Sequence, residues 1–220
     1  MKTIERLIET LSHSPLLPVV IQRLQEQIAE EQCKRELFYD EMTPDQKVEF
    51  IDGAVVMHSP ARNRHLEVTM FVASLLRAYV DTHQLGVVRV EKCLCVFPRN
   101  DYEPDVVFFG QAKAATLTAE TLKFPVPDLI VEVLSESTQQ NDRGVKFEDY
   151  AANGVDEYWI VDADKSTVEQ YLLSDGQYEL CVKSSTGKLT SRVLVGLTID
   201  IESLFVQQRN LSAMRAILSA

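Results

Sequence analysis

Between Pro127 and Thr138 the chain reads PDLIVEVLSEST, an apolar run of strand length broken by a single carboxylate, Glu132. Such a strand belongs in a core, and an ionised carboxylate taken into a core without partners costs several kcal/mol. Glu132 therefore needs a cation from the protein, a proton or a metal ion. A second run, YEPDVVFFG at Tyr102–Gly110, has the same character: four apolar residues follow Asp105, which stands directly behind Pro104. Alternation puts Glu103, Asp105 and Val107 on one face of that strand and Ile130, Glu132 and Leu134 on one face of the other. If the two strands are neighbours, Asp105 and Glu132 converge. Two carboxylates in a poorly hydrated cleft raise each other's pKa. A divalent cation relieves the repulsion, and Mg²⁺ is typically held by one or two carboxylates with waters completing its octahedron.

Asn141 to about Asn153 reads as one helix, with Asn153-Gly154 as its stop. Asp142, Lys146 and Tyr150 fall on one stripe of it, so Lys146 can reach back toward the acid pair. Two acids and a lysine suit metal-assisted phosphodiester cleavage, in which the metal activates a water and the lysine stabilises developing charge or orients that water. Each residue also has a plain structural reading. Glu132 can be half of an ion pair, Asp105 a strand start after proline, and Asp142 with Lys146 an ordinary i, i+4 pair. Tyr150 reads as packing and Trp159 as core.

The remaining pattern is mixed. Ile4, Leu7, Ile8 and Leu11, then Val20, Ile21, Leu24 and Ile28, are helical stripes within residues 1–30 that can pack on the domain or on a second subunit. Asp52-Gly53 and Asp175-Gly176 are hairpin turns, within KVEFIDGAVVMH at Lys47–His58 and between Thr167–Leu173 and Gln177–Val182. His65 to about His83 reads as a helix with Leu66, Met70, Ala73, Leu76 and Val80 near one face. Val87–Phe97, Tyr102–Phe109, Asp128–Leu134, Glu157–Asp162 and Arg192–Val195 read as strands, Thr116–Lys123 as a short helix or loop, and Asn210–Leu218 as a closing helix. The sum is an α/β or α+β domain, a mixed sheet flanked by helices. Alternation sets Glu49 with Ile51, away from Val48 and Phe50, on a face open to solvent or turned to the site. Arg62, Arg64 and His65 lie in or beside a loop suited to phosphate contacts.

The net charge of −11 and pI near 4.9 argue against a protein that coats nucleic acid through bulk basic charge. Cys33, Cys93, Cys95 and Cys181 show no zinc-ligand spacing and read as reduced thiols. His58 and His65 do not form a metal pair with each other. No apolar run is long enough to cross a bilayer, and MKTIERLIETLSHS lacks the apolar core of a secretory signal, so a cytoplasmic protein is expected. Phosphate-binding glycine loops, a nucleophile elbow and zinc-deaminase spacing are missing from the sequence.

EPDVVFF, PDLIVEVLSEST, the D-x-x-x-K-x-x-x-Y stripe, GVDEYWIVD and the hairpin VEFIDGAVV followed by MHSP together resemble the Uma-type restriction endonuclease family of the PD-(D/E)XK nuclease superfamily, over about Val48 to Leu173. The resemblance implies a restriction-endonuclease-like core, a central mixed sheet of about four strands with helices on both sides, and a dimer; the domain is set at 41–205, with a helical extension at 1–40 and a C-terminal helix at 206–220 that the resemblance does not cover. It implies a Mg²⁺- or Mn²⁺-dependent DNA endonuclease. Asp105 and Glu132, with the backbone carbonyl of Val133, would hold the metal, and Glu49 is a recurrent acid facing the same site. Leu134 stands where the superfamily pattern has its lysine, so that role passes to Lys146. The alternative is a catalytically inactive relative serving as a nucleic-acid-binding or oligomeric interaction module.

Overall fold

The structure, a computed structural model, describes residues 2–43 and 45–219, with the side chains of 2–4 outside the description. The chain enters through α1 (Lys2–Ser12) and α2 (Leu17–Glu41), then forms the hairpin β1 (Val48–Ile51) and β2 (Ala54–Met57) and the long helix α3 (Asn63–His83). Strands β3 (Gly86–Val90), β4 (Leu94–Val96), β5 (Asp101–Tyr102) and β6 (Val106–Gly110) follow, then α4 (Gln111–Ala114), β7 (Lys123–Phe124) and β8 (Leu129–Val133). Helices α5 (Gln139–Asp142) and α6 (Val145–Ala152) lead to β9 (Glu157–Asp162) and the hairpin β10 (Thr167–Ser174) and β11 (Gln177–Ser184). The chain closes with β12 (Lys188–Thr190), β13 (Thr198–Asp200), a 3₁₀ turn at Ile201–Leu204 and α7 (Gln207–Leu218).

The main sheet runs β11-β10-β9-β8-β6-β3, and a smaller one β2-β1-β5-β4-β7. Strands β8 and β9 are parallel, joined through α5 and α6, as a parallel pair requires. β8 is buried at every position because both of its faces are covered. Val106, Phe108, Leu129, Val131 and Trp159 pack with α3, while Val107, Phe109, Ile130 and Ile160 pack with Tyr150 of α6 and with Cys95, Phe97 and Tyr102 of the smaller sheet. Ala213, Met214 and Ile217 lay α7 on the first of these faces. α2 docks only by its last turns. Phe38 sits with Val48, Phe50 and Leu94, and the Arg35 guanidinium grips the Asp101 carboxylate at 2.5 and 2.7 Å. Its earlier apolar residues Ile21, Leu24 and Ile28 are exposed.

Both Asp-Gly turns form as the sequence predicts, with φ of 50° and 77° at Asp52 and Gly53 and 48° and 76° at Asp175 and Gly176. Several elements differ. The run 87–97 breaks at Glu91 and Lys92, both in left-handed backbone, and its halves join different sheets. The run 102–109 breaks at Glu103–Asp105, where Pro104 carries the chain from the smaller sheet to the main one. The expected helix 141–153 is two helices parted at Arg143-Gly144. Residues 192–195 are not a strand, since the Arg192 and Val193 amides are taken by the buried Glu157 carboxylate; the last strand is β13. Residues 116–122 are loop. α3 buries Ala73, Leu76 and Val80 of the expected stripe together with Val68, Val72, Leu75 and Tyr79, while Leu66 and Met70 near its start face outward.

Gly86 opens β3 at φ +147°, where a Cβ would run into the Phe109 carbonyl and the Gly110 backbone. Backbone cannot step aside as a flexible side chain can. Gly86→Ala should therefore cost about 2–4 kcal/mol, strain and clash together, read as a clear fall in melting temperature; an unchanged melting temperature would contradict this packing.

Candidate active site

Antiparallel pairing sets Val106 against Val131 and Val107 against Ile130. One step beyond the ladder, Asp105 comes opposite Glu132. There the sheet bond is replaced by a side-chain one: the Val133 amide donates to Asp105 Oδ2 at 2.8 Å. Both acids are nearly enclosed, 4% and 3% exposed, and both border a cavity of about 590 Å³. The start of α3, the 57–62 loop and the loop after β8 supply its other walls.

Lys146 reaches back across the break between α5 and α6. Its ammonium lies 2.9 Å from Glu49 Oε1, 3.0 Å from Glu132 Oε1 and 3.3 Å from Asp142 Oδ1. Tyr150 donates its hydroxyl to Glu132 Oε1 at 2.9 Å while its ring packs edge-on against Tyr102 and Tyr158, so this residue packs and also donates to the site. Glu49 Oε1 also accepts the Glu103 amide, and its Oε2 lies 3.0 Å from His58 Nε2, out of line for a hydrogen bond. The solvent-facing option for Glu49 is thereby corrected: it is fully buried, because β1 is covered on both faces. Asp105 Oδ1 meets Lys47 at 3.0 Å and His65 at 3.4 Å.

The charges do not balance inside this cluster. Burial pushes Glu132 up to about 8, reinforced by Asp142, Asp105 and Glu49 and only partly opposed by Lys146. Burial likewise raises Asp142, neither of whose oxygens has a hydrogen bond, and lifts Glu103 to about 7. Burial works on Glu49 too, but the Lys146 ammonium and then His58 outweigh it and hold that acid down to about 2. Asp105 stays well below the usual carboxylate range, since His65, Lys47 and the Val133 amide overcome its burial. Burial and the neighbouring acids thus favour the protonated form of Glu132, whose proton a cation could replace. Among the described residues no three His, Cys, Asp or Glu side chains form a ready-made metal cage. Two carboxylates opening onto a cavity still fit a hard cation that keeps part of its water.

The flanking residues separate. Arg62 pairs with Glu136 at the exposed rim, 3.0 Å apart. Arg64 spends its guanidinium on the Ala163 carbonyl and, at 3.0 Å, the Ser166 hydroxyl. Lys47, His58 and Asp142 are parts of the cluster that sequence reasoning passed over as site residues. Their only advance signs were a lysine at the hairpin start, a histidine at its end and an acid on the lysine stripe.

A mixed sheet whose central strands deliver two acids to one cleft is the arrangement expected of a restriction-endonuclease-like fold. The chain belongs to the Uma2 family, described as "Putative restriction endonuclease", which matches residues 34–202. It is similar in structure to "a putative nuclease belonging to DUF820" from Anabaena variabilis, with a TM-score of 0.67 and 18% identity over 80% of this chain and 96% of that one. At that identity the likeness shows the fold. No curated protein matches the chain. No helix among the described residues is long and apolar enough to cross a membrane.

Glu132 gives a signed pH dependence. Its folded pKa of about 8 lies above the ordinary 4.5, so its contribution to stability is complete at low pH and is lost as pH rises through 8. From pH 6 to pH 9 the metal-free wild type should lose about 2–3 kcal/mol on this account. Glu132→Gln should lose correspondingly less over that window, the remainder coming from Glu103 and Asp142, and should be the more stable of the two at pH 9. Denaturant melts at both pH values check this. A loss of about 3–5 kcal/mol in the mutant at pH 6 would instead make Glu132 half of a structural ion pair.

Proposed function

We propose that the protein is a Mg²⁺- or Mn²⁺-dependent DNA endonuclease in which Asp105 and Glu132 hold the metal. The observation carrying this reading is the acid excess: three buried carboxylates share one ammonium, and the one bordering the cavity is left protonated. The N–H and C=O of a strand residue point to the same edge. With its amide on Asp105, Val133 turns its carbonyl toward the same gap as a third oxygen.

The bound cation would supply a water of lowered pKa and neutralise phosphate charge. The chain's own residues do the rest. Lys146 and Tyr150 fix Glu132 Oε1 and stabilise the carboxylate once its proton has left. His65 and the Val133 amide orient Asp105. Arg62 can turn from its exposed partner to a phosphate at little cost, such pairs being worth under about 1 kcal/mol; Arg64 is more tied. In the reaction the water oxygen bonds to phosphorus and one P–O ester bond breaks. One product keeps the phosphate, and the leaving oxygen takes up a proton as the water gives one to solvent. A second copy of the chain would pack on the exposed seam of α2, where Ile21, Leu24 and Ile28 continue the coiled-coil spacing begun at the half-buried Leu17. The cytoplasm, with its DNA, Mg²⁺ and reducing conditions, suits this activity and four free thiols.

One observation favours the inactive-module reading: both Asp105 oxygens already have partners within the chain. Mn²⁺-dependent cleavage of supercoiled and single-stranded DNA decides between the two. The nuclease reading expects cleavage by wild type and a loss of at least about 10³-fold in Asp105→Asn and in Glu132→Ala. Unimpaired cleavage by either variant would overturn the assignment, and Mn²⁺ binding with no cleavage of either substrate would favour the module.

A further inference from the structure

The cluster contains two lysines in different situations. Lys146 is 2% exposed and bound to three carboxylates from three elements. Moving its ammonium to a substrate would strand all three acids, two of them on sheet strands that cannot follow. Lys47 has one ion pair, to Asp105 Oδ1 at 3.0 Å, its side chain is 23% exposed, and it borders the same cavity as Glu132. Its backbone is anchored, the Lys47 carbonyl accepting the His58 amide at 3.1 Å. A fixed Cα with a flexible four-carbon stem lets the ammonium swing without disturbing the fold.

Asp105 Oδ1 is also the oxygen that a metal held by the acid pair would use. An ammonium and a divalent cation cannot both sit on it undisturbed, and the divalent charge is the stronger competitor. We propose that Lys47, rather than Lys146, is the lysine that meets the substrate: a divalent cation displaces its ammonium from Asp105, and the freed ammonium reaches a non-bridging oxygen of the phosphate in the cavity. Lys47 keeps its proton throughout and stabilises the charge that develops on that oxygen. Lys146 is then a positioning residue for the acids. The inference rests on the metal-dependent reading above and deepens it.

Two measurements on the full chain test it: calorimetric titration of Mn²⁺ alone, and Mn²⁺-dependent plasmid cleavage, each with wild type, Lys47→Met, Lys47→Arg and Lys146→Met. Lys47→Met should fold and melt only modestly lower, since Asp105 keeps His65 and the Val133 amide, bind Mn²⁺ severalfold more tightly because a competitor has gone, and cleave about 100-fold more slowly in kcat with little change in KM. Lys47→Arg should recover part of the rate. Lys146→Met should melt markedly lower. Mn²⁺ binding that is unchanged, weaker or absent in Lys47→Met overturns the placement of Lys47 at the metal position, and cleavage that survives intact in Lys47→Met overturns its role at the phosphate. If Lys47→Met binds Mn²⁺ more tightly yet wild type cuts no DNA, the nuclease reading and the phosphate role fall together while the competition at Asp105 stands.

Discussion

One ammonium holds the site together. Lys146 Nζ gathers Glu49 from β1, Glu132 from β8 and Asp142 from α5, so a single buried cation ties the smaller sheet, the main sheet and the crossover helices to one point. Removing a buried charge of this kind leaves its partners uncompensated, at about 3–5 kcal/mol. The stoichiometry matters as much as the geometry. Three ionised acids against one ammonium leave negative charge uncompensated, and burial favours the protonated form of Glu132. On the proposed reading, a second cation would take up the charge that this ammonium leaves uncompensated.

The position of that imbalance follows from the topology. Pro104 steps the chain from β5 to β6, which ends the β6–β8 ladder one residue early. The Val133 edge is then free to bind a carboxylate instead of a backbone, and the acid pair comes to lie where the two sheets part. α3 and the hairpin wall off the resulting cavity, so its polar groups face substrate-sized space instead of bulk solvent. On the proposed reading phosphate would enter this cavity without a basic surface, consistent with a net charge of −11.

Much of this was readable in the chain. A glutamate in an apolar strand and an aspartate behind a proline both mark sites where burial and charge conflict, and alternation gave their common face. The Asp-Gly turns fixed both hairpins through local backbone preference alone. What escaped the sequence was non-local. Glu49 was open to a solvent-facing reading because alternation assumes that one face of β1 meets water, whereas Phe38 of α2 packs on the Val48 and Phe50 face and Lys146 of α6 meets Glu49 on the other. The break at Glu91-Lys92 is a left-handed kink in residues with no glycine to announce it. Lys47 and His65 find Asp105 across 58 and 40 positions of sequence, by simple difference of their numbers, a distance no periodicity spans. Gly144 was visible, yet the helical stripe survives the interruption it makes, since Lys146 still meets Asp142.

The most direct test of the central claim is the proton itself. Mn²⁺ should be titrated at pH 7 in two buffers of different ionisation enthalpy, which reports the protons released per metal bound. If Glu132 is kept in an apolar strand to receive a cation, binding should release about one proton in wild type and none from this position in Glu132→Gln. Binding without proton release, or with the same release in both proteins, would contradict it.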